Sequence, residues 1–349
     1  MNKTVPNENK PQFKGTPGAN LRELGKLEAT IGPEWARLVR GVFTNPLSIV
    51  GLILVSSFIL IATFAPVLAP PLDALGDPYL IPRDGYSPEP KPPGTVWQRD
   101  IPPIPFWYTA VTGNEQWVHL LGTTSGQFDI YYGIVWGTRT ALFVGVFITA
   151  VTVVIGLFVG AVSAYYGGWL DDLLMRITEI FMAFPFLLAA LTLSAILVPL
   201  FGRGIWPATI ALVCFGWMTY ARVLRAEILS AKERDYALAA RVLGAKDSRI
   251  LARHIVPNAI YPILVLASMR VGDYVLSFAA LSFLGVGTDI GYADWGQIVS
   301  FARDWILSLD IHWYIIVYPG IALLLFGLGW NLIGDALRDI LDPRLRKGN

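Results

Sequence analysis

Glu179, Arg270 and Asp273 stand in or at the mouth of long apolar runs, where ionisable side chains are scarce. A charge inside such a run is costly and marks a polar pathway, a gate or an ion pair between helices. Arg270 and Asp273 are three residues apart, so on one helix they can pair with each other and brace a bundle. With Glu179 they could equally form a polar cluster that lines or gates a path. Hydrolytic chemistry lacks its residues. His119, His254 and His312 are scattered, with no His-Glu-x-x-His or Cys/His cluster to hold a catalytic metal. No nucleophile-and-base constellation is readable. Gly25-Lys26 lacks the upstream glycine and the following hydroxyl residue of a phosphate-binding loop. The chain is therefore expected to bind no cofactor of its own and to hydrolyse no ATP.

The elements that must position these groups are membrane helices. Of 349 residues 54% are hydrophobic and 15% charged, far from the balance of a soluble domain. Uncharged stretches at 47–69, 140–170, 180–202, 204–221 and 313–334 reach or approach the roughly 20 residues that span a bilayer as a helix. A further stretch from 255 to about 287 is interrupted only by Arg270 and Asp273. Six spans are expected. The net charge of +1 gives no bulk attraction to nucleic acid, and the single Cys214 permits no internal disulfide.

Lysine and arginine placement orients the spans. The segment before the first span carries Lys3, Lys10, Lys14, Arg22, Lys26, Arg37 and Arg40, and the stretch between the fourth and fifth spans carries eight more from Arg222 to Arg253. The alternate loops hold only Arg83, Lys91 and Arg99, then Arg203, then Arg303. Both termini and the basic stretch are thus expected on the cytoplasmic side of a cell membrane, with the chain multi-pass. The N-terminal tail, 1–45, ends in a possible interfacial helix with Trp35, Leu38, Val39 and Val42 at helical spacing. The first span is 46–69. An external loop, 70–136, is so rich in proline that regular helix or central strand is excluded over most of it. A five-helix core follows at 137–340, with a cytoplasmic loop at 230–257, then a tail at 341–349. The later external loop, 286–312, is acidic: Asp289, Asp294, Asp304 and Asp310 against Arg303.

The basic stretch is the most informative. From Arg234 to Pro257 it reads as helix, glycine, helix. Tyr236, Ala239, Ala240 and Leu243 share a face of the first helix at helical spacing. Gly244 can supply the permissive backbone that ends it, Asp247 or Ser248 can cap the second helix, and His254 lies with Ile250, Leu251 and Ile255 on that helix's apolar side. Pro257 opens the next apolar run. A DNA-reading helix-turn-helix is disfavoured here, because a membrane segment ends a few residues away on each side.

Ala239-Ala240-x3-Gly244 with Pro257 thirteen residues on resembles the EAA loop of ATP-binding-cassette importer permeases. More narrowly, the chain resembles the second permease of dipeptide and oligopeptide importers. Leu238 stands where the motif name has Glu, and His254 where Ile is usual. Leu121-Gly-Thr-Thr-Ser-Gly-Gln-Phe-Asp129 is similar to the family's Leu-Gly-Thr-Asp-x-x-Gly-Arg-Asp segment, with Thr124 for the usual Asp and Phe128 for the usual Arg. Ala164 to Asp172, Met175 to Pro185, Leu281 to Gly287 with Trp295-Gly-Gln, and Asn331 to Arg344 also match. The likeness covers about 119 to 346 and the first span.

The resemblance implies an all-α polytopic membrane protein of about six transmembrane helices, with the fold of a type I importer permease. It implies a transport subunit that forms a peptide path with a second homologous permease. Two cassette ATPase subunits, which carry the ATP and Mg, would drive it, and an extracytoplasmic solute-binding protein would supply it. Tyr236, Ala239, Ala240, Leu243, Gly244, Asp247, His254 and Pro257 would form the ATPase-coupling loop. The same permease type carries oligosaccharides and nickel chelates, and the sequence does not choose among them. An ion-coupled secondary transporter is the rival from another class, and the internal repeat such folds usually show is not visible.

Overall fold

The computed structural model describes residues 45–71, 87–98, 103–290 and 292–341. The expected interfacial helix before the first span and the basic tail after residue 341 lie outside the described residues. The first span, α1 (Pro46–Leu68), starts from Asn45, whose side chain accepts from the Leu47 N–H, and from a proline in the first turn, where a missing N–H costs nothing. The next long helix, α3 (Ile130–Tyr166), begins inside the stretch assigned to the external loop, because Asp129 caps it by accepting from the Tyr132 N–H.

Between them the described loop residues pack into a small module. It contains a two-residue strand pair, β1 (Thr95–Val96) on β2 (Val118–His119), and the short helix α2 (Phe106–Thr112). Trp97 stacks on Trp117 at 5.0 Å between ring centroids, and the Tyr108 hydroxyl accepts from the Val118 N–H at 2.9 Å. The module is tied to the first span by polar hydrogens. Trp107 Nε1, the Tyr131 hydroxyl and Trp136 Nε1 donate to the carbonyls of Val67, Leu68 and Ala69 at 3.1, 3.0 and 2.9 Å. These are carbonyls that a helix end leaves unpaired, and they need donors most where water is scarce.

The expected third span is two helices. The helix α4 (Gly168–Met182) and the helix α5 (Phe186–Phe201) meet at 86°. Pro185, which cannot donate to a preceding carbonyl, sits at the break. The helix α6 (Ile205–Gly216) runs into α7 (Met218–Lys232). After the element at 235–259, described below, come α11 (Tyr261–Phe283), the short α12 (Trp295–Ser300), the single turn α13 (Leu309–His312) and α14 (Tyr314–Leu341). Among the described residues five helices, with α6 and α7 taken together as one, are long and apolar enough to cross a membrane, or six crossings if the bent α4–α5 pair is one.

Close helix approach builds the bundle. A Cβ on Gly156 of α3 would lie 2.4 Å from the Tyr220 Cβ of α7, and one on Gly160 would lie 2.5 Å from the Ala221 carbonyl oxygen. Two small residues four apart let the backbones meet, the usual way helices associate in a bilayer. At the other end Trp295 of α12 is buried among Phe58 of α1, Phe326 of α14 and the wall of α3 at Gly137.

Candidate functional site

The element at 235–259 begins where α7 ends. The helix α8 (Asp235–Val242) is followed by Gly244 at φ 75°, in the left-handed region that closes helices. The Ala245 N–H returns to the Ala240 carbonyl at 3.1 Å, as a glycine-terminated helix end requires. Then come α9 (Asp247–Ile250), a π-helical turn at Leu251–Ile255 and α10 (Val256–Ala259). The wide turn has a local cause. Pro257 has no N–H for the carbonyl four residues back, and the Val256 N–H reaches instead to Leu251. The element therefore continues to Ala259, and the span begins at Tyr261 rather than 255.

The structure divides the four residues expected on one face of α8. Tyr236 and Ala240 pack inward with Ala237, Ile250 and Ile255 against Tyr220, Leu224 and Ile228 of α7 and the end of α3. Ala239 and Leu243 face outward, with Leu238 and Val242 beside them. Val242 and Leu243 are 87% and 86% exposed, so the tip of the element is a bare apolar knob. Val242 escaped sequence reasoning because an eight-residue helix leaves its apolar positions on more than one side. The side chains of Asp247 and His254 lie outside those described.

The knob stands on a rigid base. Lys232, the last residue of α7, donates from Nζ to the Ala164 and Tyr165 carbonyls at 3.0 and 2.9 Å, closing the C-terminus of α3. Arg225 holds Asp171 of α4 with two parallel bonds of 2.7 and 2.6 Å, and Asp171 also accepts from the Ser163 hydroxyl. A bidentate guanidinium–carboxylate pair fixes orientation as well as distance. The last two turns of α7 thus bind α3 and α4 beneath this element.

Arg270 and Asp273 do pair, at 3.6 Å, and their side chains remain 38% and 52% exposed. They share an outward stripe of α11 with Leu276. Glu179 is exposed on α4 and makes no ion pair with either among the described residues. The structure therefore brings two of the three together and leaves Glu179 apart.

On the opposite side, the acidic loop presents fewer charges than its sequence suggests. Asp289, Asp304 and Asp310 are exposed, but Asp294 is buried. It caps α12 by accepting from the Gly296 N–H at 3.1 Å, the Thr288 hydroxyl is 3.3 Å away, and burial pushes its carboxyl up to about 6. Phe128, where the resembled motif has Arg, stacks on Phe301 at 5.7 Å, and Trp305 donates to the Ser125 hydroxyl. An aromatic contact fastens the module of β1, α2 and β2 to the segment after α12 at the place where the resembled pattern carries charge. His119 Nδ1 lies 2.6 Å from the Asp129 carboxylate, fully buried, so this histidine holds the module to the start of α3.

The chain as a whole is matched by known proteins. Residues 152–347 fit the family described as "binding-protein-dependent transport system inner membrane component". The chain belongs to that family. Residues 34–84 fit the N-terminal TM domain of oligopeptide transport permease C. A dipeptide transport system permease protein of Alkalihalophilus pseudofirmus is 34% identical over 89% of this chain and 90% of its own. An oligopeptide transport system permease protein of Bacillus subtilis is 32% identical over 94% and 96%. A glutathione transport system permease protein of Pectobacterium atrosepticum is 36% identical over 69% and 78%. A chain from inward-facing structures of the MetNI methionine ABC transporter is similar in fold, with a TM-score of 0.50 at 19% identity over 60% of this chain and 97% of that one. The protein is a multi-pass, membrane-embedded permease component with the expected importer-permease fold.

Proposed function

We propose that this permease component is the second permease subunit of a peptide importer, driven by separate ATPase subunits. The observation that carries the reading is the exposed knob of Leu238, Ala239, Val242 and Leu243 on a base that ties α3, α4 and α7 together. An apolar tip this bare, at the end of a charged loop, suits a protein cleft better than water. The names of the relatives support peptide cargo.

In this reading both termini and the element at 235–259 are cytoplasmic, and ATP and Mg reside on the partner subunits. A solute-binding protein delivers substrate to the face carrying the external module. Closure of the ATPase pair moves the docked knob, and the clamp at Asp171, Arg225 and Lys232 carries that motion into α3 and α4. The outward stripe of α11 with Arg270 and Asp273 meets the second permease or the path between the two subunits. Physically this is a two-state assembly biased by contacts that differ between the states.

The test is transport by the reconstituted complex, its binding protein loaded with defined peptides. Uptake that requires ATP inside the assembly's cytoplasmic compartment, and that persists when ion gradients are collapsed, is expected. Uptake driven by an ion gradient through this chain alone would refute it. Retention of sugar or nickel chelate, but no peptide, by the cognate binding protein would refute the cargo.

A further inference from the structure

We propose that α2 is a lipid anchor, and that Phe106 and Val111 insert into the bilayer leaflet at the C-terminal end of α1. Phe106 and Val111 are 88% and 79% exposed, and the residues exposed with them on this helix, Thr109 and Ala110, carry no charge. The opposite side of α2 is well partnered. Tyr108 is buried against Trp117, and the Thr112 hydroxyl donates to the Tyr108 carbonyl.

Depth is set by Trp107. Its indole N–H donates to the Val67 carbonyl, one residue before the end of α1. With 23 residues at about 1.5 Å each, α1 matches a hydrocarbon core of about 30 Å, so its last turn lies at the boundary between acyl chains and headgroups. Trp107, Tyr131 and Trp136, all bonded to that turn, form the amphipathic ring expected at such a boundary. A helix fastened there with a bare, uncharged face has lipid as its neighbour. The face hangs beside the last turn of α1, where Phe64 and Val67 are themselves exposed. Its partner is thus the interfacial zone of a lipid leaflet, entered by the aromatic and aliphatic side chains and not by a span.

The inference needs only that α1 crosses the membrane, so it survives a failure of the peptide reading. The experiment uses the full permease–ATPase complex in phosphatidylcholine vesicles. Cys214 is replaced by alanine, and a single bimane-labelled cysteine is placed by Phe106→Cys or, in a second preparation, Val111→Cys. Phe64→Cys on α1 and Glu115→Cys, exposed on the module, serve as references. Phosphatidylcholine brominated high on its acyl chains should quench the label at 106 and 111 as it does at 64, while iodide in the buffer quenches only at 115. Iodide quenching at 106 and 111 equal to that at 115 would overturn the proposal. So would protection from both quenchers, which would mean that protein covers the face.

Discussion

Gly244 and the two sides of α8 carry the account at the scale of single residues. A Cβ at Gly244 meets nothing within 4 Å, so the penalty of a substitution there comes from φ 75° alone. Left-handed backbone costs an ordinary residue roughly 1–2 kcal/mol, more when it is β-branched, and asparagine least. Gly244→Val should therefore lose uptake with normal membrane insertion, whereas Gly244→Asn keeps it; ATP-driven uptake beside an immunoblot of the membrane fraction separates the cases. Tyr236 and Leu243 make an opposed pair. Tyr236→Ala removes inward packing and should lower stability by about 1–3 kcal/mol, read as a fall in the thermal midpoint of the purified permease. Leu243 is 86% exposed, so Leu243→Ala should leave the midpoint within about 0.5 kcal/mol while weakening ATPase capture. Equal effects of the two on stability would contradict the division of the helix. The glycine was legible in the sequence because only a helix end needs it between two apolar runs. The division was not, since spacing gives relative angles on a helix but not which side meets the bundle.

At the scale of elements, the clamp between α4 and α7 makes its own prediction. The Arg225 side chain is 33% exposed and that of Asp171 is 13%, so solvent screens the pair in part. Asp171→Asn should cost about 1–2 kcal/mol, and Arg225→Lys less, because it keeps charge but loses the two-bond fork. Proteolysis at the α4–α7 junction, faster in Asp171→Asn than in Arg225→Lys, is the measurement. Gly156→Leu tests the α3–α7 crossing: a side chain there meets Tyr220, and the strain should amount to about 1–3 kcal/mol and lower the midpoint of the assembled pair. An unchanged midpoint would mean the helices do not cross as described. Helix existence was readable from apolar length at every span, with Arg270 and Asp273 interrupting one of them. Pro185 signalled a weakness in the third, but an 86° bend depends on what α4 packs against, which no local pattern encodes. The external module was invisible for a related reason. Its strands are two residues long, and its order comes from Trp97, Trp117 and Tyr108 stacking across the chain. Proline content argued against long elements there, and among the described residues from 87 to 129 none is longer than α2, but it said nothing of a short helix between prolines.

For the whole molecule, the knob and the module of β1, α2 and β2 sit at opposite ends of α3, the longest helix among the described residues, which both the Lys232 bonds and the Asp129 cap grip. That geometry lets an event at the knob reach the far side through a single rigid element, and it gives the family's architecture a physical reading. The most direct test places a photo-crosslinking residue at 243, and in a separate preparation at 236, within the complex purified in mild detergent. The account predicts that 243 captures an ATPase subunit, that 236 captures none, and that the purified material hydrolyses ATP. Capture at 236 but not at 243, or a complex with no ATPase even after crosslinking in the membrane, would contradict the claim that this permease is driven through its exposed cytoplasmic tip.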